Sequence, residues 1–512
     1  MGTTRNANAM NNRHRKASIL SSLALCAFAG CRVGPVYHQP QATAQAPPAA
    51  YKETPSPDSD AWKPAQPQDA MLRGKWWEIY NDPELNALEE KVNINNQNIK
   101  QFFENYMEAR TLIAQARAQL YPTVAVGPSY TRSQASSNTG NSAATNIIGR
   151  GSQLTTLPLS VSWAPDLWGK VRNQIRENQY NAQLSAADLA NEQLTEQADL
   201  AVTFFELRGQ DLLIKILQDT VAADTKALDV TRSSYDTGIG TEISVVEAEN
   251  TLENAKSSLI NLGVARAQDE HAIAMLVGEV ASGFSVPVRP LDTAPPAIPL
   301  GMPSQLLERR PDVAGAERTM AAANAQIGVV TAAYYPTLTL SAEGGFESSA
   351  FKHLFDWPSR FWSLGPGVSE TVFDAGLRRA TVQQFVATYN ADVASYRQTV
   401  LTAFQQVEDN LAAVRILSQQ QQQLELAVKS GQRSLDLEMG RYNTGIDPYI
   451  DVVTAQTTLL TDQQALASLK TTQMTASVQL IESLGGGWDA SQLPTPADVS
   501  KKIGKSEIAQ QK

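Results

Sequence analysis

The stretches YDTGIGTEISVV (235–246) and YNTGIDPYIDVV (442–453) are identical at seven of twelve positions and lie 207 residues apart. The shared Thr-Gly-Ile is turn chemistry. Gly238 and Gly445 permit the left-handed backbone that ends a helix, and Pro448 suits the opening turn of the next one. A turn written twice at this spacing marks two large units rather than a short solenoid repeat.

Outward from the turns the duplication continues. NNQNIKQFFENYMEARTLIAQARAQLYP (95–122) aligns with RRPDVAGAERTMAAANAQIGVVTAAYYP (309–336), and both segments close on Tyr-Pro, at Tyr121-Pro122 and Tyr335-Pro336. WAPDLWGKVRNQ then aligns with TVFDAGLRRATV, which places Asp166 over Asp374. Between those markers the period is two. Leu157, Leu159, Val161 and Trp163 alternate with small or polar residues, as do Leu338, Leu340, Ala342, Gly344 and Phe346. Trp362, Leu364, Pro366, Val368 and Val372 form a further apolar row, with Glu370 an unexplained charge within it. Such alternation predicts strands with one apolar face, here two hairpins and four strands.

Beyond the strands the period changes to that of a helix. From Val382 an apolar stripe runs through Tyr389, Val393, Tyr396, Val400, Phe404, Val407, Leu411 and Val414 in steps of three and four. No proline interrupts 166–286 or 367–447. A helix from Asp166 to Tyr235 would be roughly 105 Å long, far beyond the diameter of a compact domain. Each repeated turn is therefore expected at the tip of a very long helical hairpin. The predicted organisation is repeat 1 over 76–285 (β-hairpin 122–165, tip near 236–242), a linker over 286–303, repeat 2 over 304–488 (β-hairpin 336–373, tip near 443–449) and a tail over 489–512.

A four-stranded sheet cannot close on itself, and an open edge in lipid leaves backbone groups unpaired. If these strands cross a bilayer, copies from several chains must join into one barrel. The N-terminus agrees with an exported protein. Arg13, His14, Arg15 and Lys16 precede the short apolar run 19–30, which reads as a signal peptide over 1–30, with Met1 or Met10 as its start. FAGC, ending at Cys31, resembles a bacterial lipobox. The Pro-, Ala- and Gln-rich segment over 31–75 reads as an extended tether. Net charge is −10, which argues against nucleic-acid binding. Four histidines are scattered and no cluster has metal-ligand spacing, so neither enzyme chemistry nor a cofactor is expected.

VGPVYHQP after Cys31, WWEIYNDPELNAL (76–88), WAPDLWGKVR (163–172), ERRPDVAGAE with ANAQIG, the two turns and LGGGW (484–488) occur in this order. Together they resemble the TolC family of outer-membrane efflux proteins, in its OprM-like lipoprotein branch, across essentially the whole mature chain. The resemblance implies a mixed α and β membrane protein: a homotrimer whose twelve-stranded barrel, four strands per chain, continues into a twelve-helix periplasmic tunnel. It implies an exit duct in the outer membrane, lipid-anchored at Cys31, working with a periplasmic adaptor and an inner-membrane RND-type transporter on small molecules such as drugs. An outer-membrane duct for type I protein secretion is the alternative, and a periplasmic coiled-coil scaffold a further one. Carried over to the tips, Gly238-Ile239 and Gly445-Ile446 occupy the turns that meet the adaptor, and Asp447 falls at an acidic constriction. Tyr235 and Tyr442 are either adaptor contacts or helix-end packing residues. Asp447 is either a gate residue or the N-cap of the helix that follows.

Overall fold

The structure, a computed structural model, describes residues 32–43, 51–53, 74–134, 152–298 and 306–502. Cys31, the 1–30 signal segment, much of the tether, the Ser/Asn-rich stretch 135–151, part of the linker and the end of the tail lie outside the described residues.

Repeat 1 runs α1 (Pro83–Asn95), α2 (Gln97–Ala118), β1 (Thr123–Val126), β2 (Ser129–Ser133), β3 (Ser152–Trp163), α3 (Lys170–Asp236) and α4 (Glu242–Leu276). Repeat 2 runs α5 (Pro311–Thr331), β4 (Thr337–Ser348), β5 (Arg360–Ser369), α6 (Leu377–Asn443) and α7 (Tyr449–Ser483). The duplication survives in the lengths. α3 and α6 each have 67 residues, and α4 and α7 each have 35. At 1.5 Å per residue the long helices reach about 100 Å.

The aligned aspartates build the corner from strand to long helix. Asp166 accepts from the backbone N–H groups of Val171 and Arg172 at 3.2 and 3.0 Å and from Arg172 Nε at 3.1 Å. Asp374 accepts from Gly376 N at 3.0 Å, Arg378 N at 3.2 Å and Arg378 Nε at 2.6 Å. Each carboxylate thus satisfies donors at a helix start that would otherwise be orphaned.

At the other joint, each 35-residue helix ends against the start of a short helix. Asn96 Nδ2 donates to Leu276 O at 3.0 Å, and Arg310 Nη1 donates to Ser483 O at 3.0 Å. These are matching positions in the two repeats, solved with different side chains. Arg310 also grips Asp312 through two bonds of 2.9 and 2.6 Å and reaches Gln406 of α6 at 2.9 Å. The Arg-Pro-Asp marker is therefore part of the joint. The glycines of LGGGW end α7 with three left-handed residues, and a side chain at Gly485 would collide with Arg309 O.

The chain therefore forms four parallel columns. α4 and α2 lie end to end beside α3, α3 lies beside α5 and α7, and α6 packs on α5 and α7. The sheet repeats that order: β1 and β2 pair with β3, β3 with β4, and β4 with β5, all antiparallel. Among the described residues no further helix or strand flanks the slab at its two edges, α4/α2 with β1/β2 and α6 with β5, although the tail reaches α2 at Arg117 and the tether reaches α6 at Arg415. The main core sits at the joint level, where Trp76, Trp77, Tyr80 and Leu85 meet Phe204, Phe205, Val400, Leu411, Val478 and Ile481.

Register places the apolar rows on one face. Leu159 opposes Val126 and Gly344, Val161 opposes Val124 and Ala342, and Leu340 opposes Trp163 and Pro366. Trp362, on that face, is 77% exposed in the single chain. Two details depart from the expected strands. The first strand is split at Gly127-Pro128, opposite Pro158, because neither proline has an N–H for the ladder. β5 ends at Ser369, so Glu370 and Val372 lie beyond the ladder instead of on a strand face.

The described parts of the tether, residues 32–43 and 51–53, form neither helix nor strand and are fastened to helices. Val33 N donates to Trp168 O at 3.1 Å, and Asn173 Nδ2 donates to Val33 O at 2.9 Å. Further along, the Tyr37 hydroxyl donates to Glu317 at 2.6 Å, while Arg415 of α6 holds Glu53 at 2.6 Å. A second fastening holds the segment after α4. Asp211, fully buried, accepts from Arg266 Nε at 2.7 Å, Arg289 N at 2.8 Å and Arg208 Nη1 at 3.3 Å. Arg208, 2% exposed, donates also to Pro287 O at 2.6 Å and to Glu84.

Candidate functional site

The two tips share a backbone. Gly238 and Gly445 have φ of 74° and 76°. Gly238 N donates to Tyr235 O at 2.9 Å and Ile239 N to Ser234 O at 3.0 Å; Gly445 N donates to Tyr442 O at 2.9 Å and Ile446 N to Arg441 O at 3.0 Å. Ile239 and Ile446 stand out at the turns, 86% and 67% exposed. Water-facing isoleucines at the same place in two tips are an apolar contact surface in waiting.

The side chains around the turns differ, and the difference falls at the positions where the two sequences part. Gly240, Thr241 and Glu242 of tip 1 correspond to Asp447, Pro448 and Tyr449 of tip 2. In tip 1, Thr241 caps α4 by accepting from Ser244 N at 3.3 Å. In tip 2 the N-cap of α7 is Pro448, with no side-chain cap bond, so Asp447 is not the cap. Instead Asp447 takes both Arg441 Nε and Nη2, the latter at 2.9 Å. The position matching Arg441 in tip 1 is Ser234, which can form no such pair.

Tyr449 turns inward. It is 3% exposed and joins Leu228 of α3, Ala248 and Leu252 of α4 and Val452 of α7 in a small separate core. Tyr442 lies edge-on to it at 5.2 Å, so Tyr442 is a packing residue, whereas its counterpart Tyr235 is 45% exposed. Nearby, Gln456 of α7 donates to the buried Asp224 of α3. Tyr449 and Gln456 therefore fasten the second hairpin to the first. Sequence reading missed both; the exchange of Glu242 for Tyr449 within an otherwise repeated turn was the available signal. Glu438, Arg441, Asp447 and Asp451 line a polar groove of about 410 Å³ on α6 and α7 beside this tip.

The slab with two open edges, its apolar sheet face and its clamped tips is an assembly that needs copies of itself. The family model described as outer membrane efflux protein matches residues 88–279 and 302–486. The chain belongs to the outer membrane efflux protein family. It is 31% identical over 475 residues to the antibiotic efflux pump outer membrane protein ArpC of Pseudomonas putida, covering 92% of this chain and 96% of that one. It is 29% identical to the pyoverdine export outer membrane protein OpmQ of Pseudomonas aeruginosa, covering 83% and 90%. The solved outer-membrane channel OprN superposes with a TM-score of 0.79 at 27% identity, over 90% of this chain and all of that chain. The fold is thus that of the trimeric TolC-family channels, a helical section continuing a β section. This outer membrane efflux protein is the outer-membrane exit duct of a tripartite efflux system, extending into the periplasm. Its family is one of channels, not of enzymes.

Proposed function

We propose that three copies of this efflux protein close edge to edge, α4/α2 against α6 and β1/β2 against β5, into one duct gated at its six tips. The observation that carries this reading is the shared order of strands and helices, which among the described residues leaves no strand paired beyond β1/β2 or β5 and no helix packed beyond α4/α2 or α6. In hydrocarbon an unpaired strand edge is prohibitive, and closure with neighbouring copies removes it. No cofactor has a role. A lipid on Cys31 would sit at the inner leaflet, since the adjacent Arg32 packs on Gly169 at the start of α3. The cargo is small molecules, as the names of ArpC and OpmQ suggest for those relatives. The adaptor meets Tyr235, Gly238, Ile239, Gly445 and Ile446, and an inner-membrane RND-type transporter supplies the energy.

Asp447 belongs to the gate through Arg441. Its charge is offset within the same chain, so a ring of such residues carries less self-repulsion than a bare acidic ring. Hydrogen bonding to Arg441 holds the Asp447 carboxyl below the ordinary carboxylate range. A depressed carboxylate keeps its pair at neutral and mildly acid pH and loses it only as pH falls through the lowered value. Conductance in planar bilayers is expected to be flat from neutral pH to about pH 5 and to rise only below about pH 4. Asp447→Asn should raise it at neutral pH; a variant indistinguishable from the native protein at every pH would remove Asp447 from the gate.

The assembly is tested by single cysteines at Thr237 and Thr444, cross-linked in intact cells. An adaptor recovered with a proton-driven transporter supports the reading. An adaptor recovered with an ATP-driven protein exporter would replace it with type I secretion, and recovery of neither would reject the tips as the docking site.

A further inference from the structure

The connection between β4 and β5 lies at the end of the sheet away from the helices, and it has a frame of its own. Two single 3-10 turns, Phe351–His353 and Trp357–Ser359, are tied by Leu354 N to Phe351 O at 3.1 Å, Asp356 N to His353 O at 3.1 Å and Ser359 N to Asp356 O at 2.9 Å. The Ser359 hydroxyl donates to His353 O at 2.7 Å, and His353 Nδ1 meets Asp356 Oδ2 at 2.7 Å. This frame holds Phe351, Phe355 and Trp357 outward, 74%, 67% and 74% exposed. Phe355 lies edge-on to Phe346 at 5.6 Å. Phe346 belongs to the apolar row of the sheet, so the aromatic patch continues the membrane face.

Two cations accompany the aromatics. Arg360 pairs in register with Phe346 and heads the lipid-facing row Arg360, Trp362, Leu364, Pro366, Val368. Its guanidinium lies over the Trp357 ring. Lys352 is exposed one turn away. Among the described residues neither takes part in an ion pair, and the acid of this connection, Asp356, is engaged by His353. From Arg360 to Val368 the strand covers about 26 Å at 3.3 Å per residue. A tilt near 40° turns that into about 20 Å of depth, close to the ~25 Å apolar band of such barrels. Arg360 therefore reaches the outer interface, where a charge is cheap and anionic headgroups begin.

We propose that Lys352 and Arg360, framed by Phe351, Phe355 and Trp357, bind the phosphate of a phosphorylated lipid in the outer leaflet, with its acyl chains against Trp362 and Leu364. Arg supplies a planar fork suited to phosphate oxygens and Lys a mobile point charge. Aromatic rings at the same height fix the lipid's depth.

The test counts lipid bound to the purified full-length protein by native mass spectrometry. With diphosphoryl lipid A as probe, the native protein should retain at least about ten times more than with the same lipid stripped of phosphate, a ratio worth ~1.4 kcal/mol. Lys352→Gln/Arg360→Gln should abolish that preference and Arg360→Lys should keep most of it. Lys352→Gln alone, a change at an exposed cation outside the turn's hydrogen-bond frame, should weaken the preference without disturbing the fold. Equal retention of the two lipids by the native protein, or undiminished preference in the double variant, would overturn the proposal. So would displacement by inorganic phosphate at equal concentration, which would make the site one for free anion.

Discussion

Asp211→Ala should lower the stability of this efflux protein by about 3–5 kcal/mol, the range for removing one partner of a buried ion pair. The carboxylate is completely buried and receives Arg208, Arg266 and the backbone N–H of Arg289. Without it, Arg208 keeps Glu84 and Pro287 O, while Arg266 loses its shortest bond and the segment after α4 loses an anchor. The repeat supplies an internal control. The position matching Arg208 in repeat 2 is Arg415, which holds Glu53 of the tether with both side chains partly exposed. Arg415→Ala should cost only ~1 kcal/mol, as solvent-screened pairs do. Thermal denaturation of the detergent-purified protein compares them directly. Equal shifts in the two variants would show that burial of the Asp211 cluster is not what makes it strong.

Tyr449→Ala should have the largest effect on conduction. Truncating a buried aromatic costs about 3–5 kcal/mol, and here the loss falls on the small core that joins the two hairpins near their tips. Near the tips the second hairpin would then keep its Gln456–Asp224 bond to the first. Closed-state conductance in planar bilayers should rise well above that of the Asp447→Asn variant, whose lost ion pair lies within one hairpin. Tyr449→Phe keeps the ring and should behave nearly as the native protein does. Unchanged conductance in Tyr449→Ala would mean that closure is held elsewhere.

These two residues also mark what the sequence could tell. The strands and long helices were legible because their periods are strong: Leu338 to Phe346 at period two, Tyr389 to Val414 at 3.6, and long spans free of proline. The turns were legible because Thr-Gly-Ile recurs. Tyr449 was hidden because a tyrosine after proline reads as an ordinary helix start, and only its contrast with Glu242 carried information. Asp211 was hidden for a different reason. A charged residue in a helix looks solvated until its three partners arrive from α3, α4 and the segment after α4. The described tether has no period because it is held by groups of other elements, such as the backbone of Trp168 and the side chains of Asn173 and Glu317. The split of the first strand needed Pro158, from the opposite strand, to be seen facing Gly127, next to Pro128.

The central claim is closure between copies, and the mass of the detergent-extracted particle tests it most directly. Native mass spectrometry should find particles of three chains, stable at concentrations where a reversible contact would dissociate. Particles of one chain, or of two or four, would contradict a duct built by joining the two open edges of this slab.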